Sequence, residues 1–312
     1  MQNKTLLGVV YLCLGVLVFS TQDAIVKAVS GSYALTQVVS IRCIVSVPIL
    51  FAMVWWEAGP RALLSRNFRP LVSRSAVMLL AYTTYYMAFP ALKLADAVAL
   101  YFTVPLFMLA MAAPLLGETI GWRRITAVGV GFAGVMVMLR PGAGLFEPAA
   151  FLSLFSAATY ALSMLMARKL GGDEKASVMA FYQNGVYLAG ALVLAFVLNL
   201  TGIESASHPS LNFLVRPWTM PTARDFLLIA SCGVIAAFGI VLLTQAYRIA
   251  KASVVASFEY TGLLWAPLWG YLFFNEVPDS ATFYGALLIL AGGLFALSSP
   301  AARQDDPTPD KT

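Results

Sequence analysis

The chain has 312 residues, 60% hydrophobic and 11% charged, with a mean hydropathy of +0.80 and a net charge of +5. A soluble domain carries about 25% charged residues, so the composition excludes a water-soluble globule and points to an all-α integral membrane protein. The basic excess lies in short loops, where it reads as membrane orientation and not as a nucleic-acid footprint.

Membrane helices need about 20 apolar residues. Ten runs of that order are present: 5–29, 34–56, 72–91, 95–116, 124–140, 148–168, 177–200, 225–248, 252–274 and 278–298. The first run carries Gln22, Asp23 and Lys27 and continues past signal-peptide length, so it reads as a membrane helix. Asp23 and Lys27 are at i, i+4, where they can pair with each other. The second run contains Arg42, about 12 Å from its end by helical rise. An arginine there must pair or snorkel; Asp23 and Asp96 are its candidate partners.

In the third run Tyr82, Tyr85 and Tyr86 fall at i, i+3 and i+4 on one helical face. They line a cavity or belong to an interfacial aromatic belt. The fourth run opens on ALKLADA, carries Tyr101 and ends LLGE at Glu118. The seventh contributes Tyr182, Gln183, Asn184 and Tyr187; the eighth carries Gln245. In the ninth, Glu259 is the sole charge between Ala252 and Phe274, about 10 Å deep. Gly262, Ala266 and Gly270 place a small-residue face on roughly its side, so Glu259 is expected to point into the bundle with Tyr260 and Trp265 nearby. Intramembrane acids are costly and usually functional: Glu259 binds a cationic group or carries a proton, or else bonds a neighbouring helix. Pro105, Pro114 and Pro267 predict kinks.

With ten spans and the N-terminus inside, the inner loops hold fourteen basic residues and the outer loops five. Both termini are therefore predicted cytoplasmic, and residues 300–312 form a polar, disordered tail. Cys13, Cys43 and Cys232 lie in apolar runs, and His208 stands in a polar loop with no evident partner. No metal or nucleotide motif is present, so no cofactor is expected.

The chain repeats itself. ALKLADA at 91–97 resembles AYRIAKA at 246–252, Glu118 matches Glu276, and Gly134 matches Gly292. Glu118 and Glu276 are expected to accept from helix N-terminal amides. Each half then holds five helices, residues 1–146 and 147–299. Five is odd, so the second half runs inverted, and inverted repeats place a site near the midplane.

The LKLADA…LLGE and YRIAKA…FNE stretches resemble those of EamA-type members of the drug/metabolite transporter superfamily, over nearly the whole chain. Asn275 stands where such proteins usually have glycine, and Glu259-Tyr260 where they often have Glu-Pro. The resemblance implies two five-helix repeats, an arginine at the position of Arg42, and cargo that ranges over nucleosides, vitamins, sugars and drugs. Arg42 then binds a substrate carboxylate, latches the outer gate, or forms a fixed ion pair.

The expectation is a secondary transporter of the inner membrane, working by alternating access as a monomer or homodimer. Its substrate would be a small organic molecule, with an amino-acid-like or nitrogenous cation favoured by aromatic residues beside a carboxylate. Energy would come from a coupling proton, an exchanged solute or the substrate gradient. The weighed alternatives are a membrane-embedded enzyme acting on a lipid or metabolite, and a channel or sensor. The enzyme lacks a nucleophile or acid–base pair.

Overall fold

A computed structural model describes residues 2–104, 106–108, 110–111, 122–139, 147–170, 174–249, 258 and 260–297. Among these the chain forms eleven α-helices and no strand. In the first half they are α1 (Gln2–Val29), α2 (Leu35–Glu57), α3 (Phe68–Ala88), α4 (Leu94–Tyr101) and α5 (Trp122–Leu139). The second half has α6 (Ala149–Leu170), α7 (Ala176–Thr201), α8 (Pro209–Val215), α9 (Ala223–Ile249), α10 (Gly262–Phe274) and α11 (Ser280–Leu297). Five of them contain spans long and apolar enough to cross a membrane: Leu6–Val29, Leu35–Glu57, Ala149–Met166, Ser177–Thr201 and Ala223–Leu243.

Helix α8 lies where the sequence reading places only a break. His208 caps it, its Nδ1 accepting from the Ser210 amide at 3.2 Å. The other ring nitrogen lies 2.9 Å from Glu147 Oε1. His208 therefore has a partner after all, 61 residues away in sequence, where no local pattern could reveal it.

The strongest helix contacts obey one exchange rule. Pair each helix of the first half with its counterpart in the second: α1 with α6, α2 with α7, α3 with α9, α4 with α10, α5 with α11. Swapping partners turns the α1–α9 contact into α6–α3, α2–α9 into α7–α3, and α4–α6 into α10–α1, and all six contacts exist. The contacts α2–α7, α4–α10 and α5–α11 map onto themselves. A bundle with these properties has an approximate two-fold axis between its halves.

The fourth apolar run of each half has a turn at the same place. Phe102 and Thr103 form a turn after α4, and Tyr260 and Thr261 form one before α10. Thr103 Oγ1 donates to Leu100 O at 2.7 Å; Thr261 Oγ1 donates to Phe258 O at 2.7 Å. In each case a threonine hydroxyl closes the turn locally, the bonding that makes Ser and Thr bend helices. The helix α10 then runs on through Pro267. Pro105 and Pro114 lie outside the described residues, as do Glu118 and Glu259.

At one end of the bundle a polar cluster joins three segments. Lys27 Nζ pairs with Glu276 Oε1 at 2.7 Å and donates to the carbonyls of Phe89, at 3.2 Å, and Leu92, at 2.5 Å. Its ammonium also lies 5.4 Å from the Phe274 ring. Glu276 Oε2 accepts from the Leu94 amide at 2.8 Å, so this acid does receive the N-terminal amide of α4 as the repeat suggests. The Asp23–Lys27 pair that the i, i+4 spacing allows is not formed; Glu276 has taken the lysine.

The residue before Glu276 explains the dipeptide. Asn275 has φ +53°, and the chain there turns back so that Glu276 N bonds Gly270 O at 3.0 Å. This left-handed helix stop favours glycine and tolerates asparagine, which accounts for Asn275 where glycine is usual. Asn275→Gly is expected to be nearly neutral in thermal unfolding in detergent. Asn275→Val should cost about 1–2 kcal/mol.

Candidate functional site

A cavity of about 130 Å³ lies between the halves. From the first half α1 supplies Val16, Phe19, Ser20 and Asp23, at i, i+3, i+4 and i+7. The tyrosines Tyr82, Tyr85 and Tyr86 come from α3, and Leu94, Val98, Tyr101 and Phe102 from the α4 segment. From the second half come Tyr160 on α6, Leu243 on α9, and Gly262 and Ala266 on α10. The wall is thus built from three exchanged pairs, α1/α6, α3/α9 and α4/α10. The other two pairs, α2/α7 and α5/α11, stand outside it.

Aromatic rings make up much of the surface. Tyr85 and Tyr101 have centroids 4.6 Å apart, and Tyr160 follows at 5.5 Å from Tyr101. Tyr82 then meets Tyr160 at 6.4 Å and Tyr86 at 6.0 Å. Such edge and offset arrangements stabilise ring pairs beyond their area burial. Phe102 closes the side towards α10, with its ring 5.7 Å from Tyr260. A Cβ on Gly262 would come within 2.5 Å of Phe102 Cζ, so the absence of a side chain there admits that ring.

Behind the rings lies a polar layer. Asp23 Oδ2 accepts from the Tyr85 hydroxyl at 3.0 Å. Gln22 Nε2 donates to the Tyr86 hydroxyl at 2.6 Å, and Arg42 Nη1 reaches the same oxygen at 3.4 Å. Arg42 is buried, with its guanidinium 5.6 Å from the Tyr187 ring. Tyr187 in turn donates to Met78 O at 2.9 Å. Arg42 forms no ion pair within 4.0 Å with Asp23 or Asp96, the partners expected for it. Arg42 instead meets the Tyr86 hydroxyl, and Asp23 the Tyr85 hydroxyl. Asp96 is drawn to Thr282 Oγ1, which donates to it at 2.5 Å.

Of the substrate-binding residues expected from sequence, the structure brings Tyr82, Tyr85, Tyr86 and Tyr101 to the cavity. Tyr260 stands one ring behind, against Phe102. Tyr182 lies elsewhere, donating to Leu63 O at 2.6 Å with its ring against Phe68. Asn184 faces α2 and donates to Cys43 O at 3.0 Å. Trp265 packs on Trp269, which donates to Ser20 Oγ at 3.0 Å. The reason for Tyr182 and Asn184 is that α7 packs on α2 and α3, one layer outside the cavity. Glu259 and the Gln245 side chain lie outside the described residues. Asp23, Phe19, Ser20 and Tyr160 are lining residues that the sequence reading does not assign to the cavity. The i, i+3, i+4, i+7 spacing on α1 is the signal that marks three of them.

A membrane bundle of two exchanged halves around a shared polar and aromatic cavity is the architecture of a transporter. The EamA-like transporter family model matches residues 6–140 and 147–298, and the chain belongs to that family. It is similar to the S-adenosylmethionine uptake transporter of Rickettsia prowazekii, at 27% identity over 94% of this chain and 92% of that one. It is also similar to the pseudopaline exporter CntI of Pseudomonas aeruginosa, at 28% over 91% and 93%. The riboflavin transporter of Rhizobium johnstonii matches at 29% over 76% and 72%. A solved crystal structure superposes with a TM-score of 0.63 at 16% identity, covering 97% of this chain and 99% of its own, and so shares the fold. The protein is a multi-pass membrane transporter of small metabolites and not an enzyme.

Proposed function

We propose that the protein is a secondary carrier of the cytoplasmic membrane that moves a nitrogenous, cationic or amino-acid-like metabolite by alternating access. One observation carries the reading: exchanged helix pairs from both halves supply the cavity walls. Tilting one half against the other would open one end of such a cavity while shutting the opposite end. Tyrosine faces beside a carboxylate suit an organic cation. Relatives of similar identity are named for three chemically different cargoes. Shared sequence at this level therefore sets the scaffold, and the lining sets the cargo. Among the three, S-adenosylmethionine, a sulfonium with an amino group, fits these walls best.

Charge bias supports a topology with both termini in the cytoplasm and the Lys27–Glu276 end outside. Glu259 is proposed to carry the coupling proton: an acid within an apolar membrane run stays neutral until a cation displaces its proton. The test is transport by purified protein in liposomes. Saturable uptake, accelerated by substrate on the opposite side, is expected of a carrier; linear flux without counterflow would overturn it. Glu259→Gln should abolish accumulation driven by a pH gradient and keep exchange. Full accumulation by that variant removes the proton role from Glu259.

A further inference from the structure

We propose that Asp23 is the residue that binds the positive charge of the substrate, with its carboxylate as the anionic pole of the cavity. Two cations are close to Asp23 along the chain or in space. Lys27, one turn further along α1, gives its ammonium to Glu276 and to the carbonyls of Phe89 and Leu92. Arg42 turns its guanidinium to the Tyr86 hydroxyl and the Tyr187 ring. Asp23 enters no ion pair within 4.0 Å among the described residues. Its hydrogen-bond partner there is Tyr85, a neutral donor that engages one carboxylate oxygen.

An intramembrane carboxylate held by one phenol is under-satisfied, since a carboxylate offers about four acceptor positions. Asp23 also lines the cavity, so what it lacks can enter from the cavity side. The faces beside it are the rings of Tyr85 and Tyr101, 4.6 Å apart between centroids. Carboxylate and π-faces together form a cation site: the acid supplies charge, the rings supply quadrupoles, and the apolar neighbours exclude water. Ammonium, guanidinium and sulfonium groups all match this chemistry. Tyr85 has a second role as a positioning residue, because its hydroxyl fixes which carboxylate oxygen faces the cavity. The proposal rests on the carrier reading above only in requiring a cationic cargo.

The test separates the two. Purified protein in detergent is screened by thermal shift and calorimetry against tetramethylammonium, arginine, S-adenosylmethionine and its thioether counterpart S-adenosylhomocysteine, which loses the sulfonium and keeps the ammonium, with riboflavin as an uncharged probe. At least one cation is expected to bind, and Asp23→Asn should weaken it about 10- to 100-fold, as expected for loss of a charge-assisted contact. Tyr85→Phe should weaken it only a few-fold. As a measurement on the wild-type chain, the hydrophobic carbodiimide DCCD should modify Asp23, read by mass spectrometry, and the bound cation should suppress that reaction. A cation that binds with undiminished affinity to Asp23→Asn, or that leaves DCCD modification unchanged, overturns the Asp23 proposal and leaves the cationic cargo standing. Binding of riboflavin alone overturns both.

Discussion

Lys27→Met is expected to lower the unfolding free energy in detergent by about 3–5 kcal/mol. The substitution keeps the length and apolar stem of the side chain and removes only the ammonium. Among the described residues the Glu276 carboxylate would then keep one donor, the Leu94 amide, and the carbonyls of Phe89 and Leu92 would each lose the lysine. The lysine and glutamate side chains are 9% and 21% exposed, so water restores little of what is lost. The double variant Lys27→Met/Glu276→Gln should recover part of the loss, because it also removes the stranded charge. A double-mutant cycle in thermal or denaturant unfolding measures that coupling. The transport reading adds a second readout. The cluster ties α1, the α3–α4 link and the α10–α11 link together at one end of the cavity. Loosening it should let a cysteine at Val98, in the cavity wall, react faster with a membrane-impermeant thiol reagent.

The same cluster shows where sequence reading succeeds and where it stops. Glu276 could be read as an acceptor of a helix N-terminal amide because the repeat places an acid at the same point in each half. Its second partner could not, since Lys27 lies 249 positions away and has a nearer acid at i−4. Local spacing favours Asp23; the fold brings Glu276 closer and offers two carbonyls beside it. The tyrosines of α3 were legible for the opposite reason. Their i, i+3, i+4 pattern is a property of one helix, and α3 happens to present that face to the cavity. Tyr182 and Asn184 have an equally polar signature, but α7 spends it on α2 and on the loop carbonyl of Leu63. Which face of a membrane helix meets a cavity depends on its neighbours, and hydrophobicity gives no guide when lipid and protein are equally apolar. The exchange rule among helix contacts is likewise invisible in one dimension, although the repeat correctly indicates that two related halves exist.

Packing between the halves leads to the second large effect, at the α5–α11 crossing. A Cβ at Gly134 would lie 2.6 Å from Gly285 O, and one at Gly285 would lie 2.8 Å from Gly134 O. Met138 Cγ, at 2.3 Å, also stands in the way at Gly285, but on each side one obstacle is a backbone carbonyl, which cannot rotate away as a side chain can. The helices therefore touch backbone to backbone, the approach that small residues permit in membranes. The sequence repeat matches Gly134 with Gly292, seven residues beyond Gly285 and so two turns along nearly the same face. Gly134→Ala is expected to cost about 1–3 kcal/mol through overpacking, and Gly134→Leu to prevent assembly of the folded protein. Gly129, on the same helix, has nothing within 4 Å of its would-be Cβ. Gly129→Ala should therefore stabilise by about 0.5–1 kcal/mol through helix propensity. Opposite signs for one substitution at two positions of one helix, read by thermal unfolding, isolate the contact from the propensity. Equal signs would mean that the two helices do not meet at Gly134, and the axis relating the halves would have to pass elsewhere.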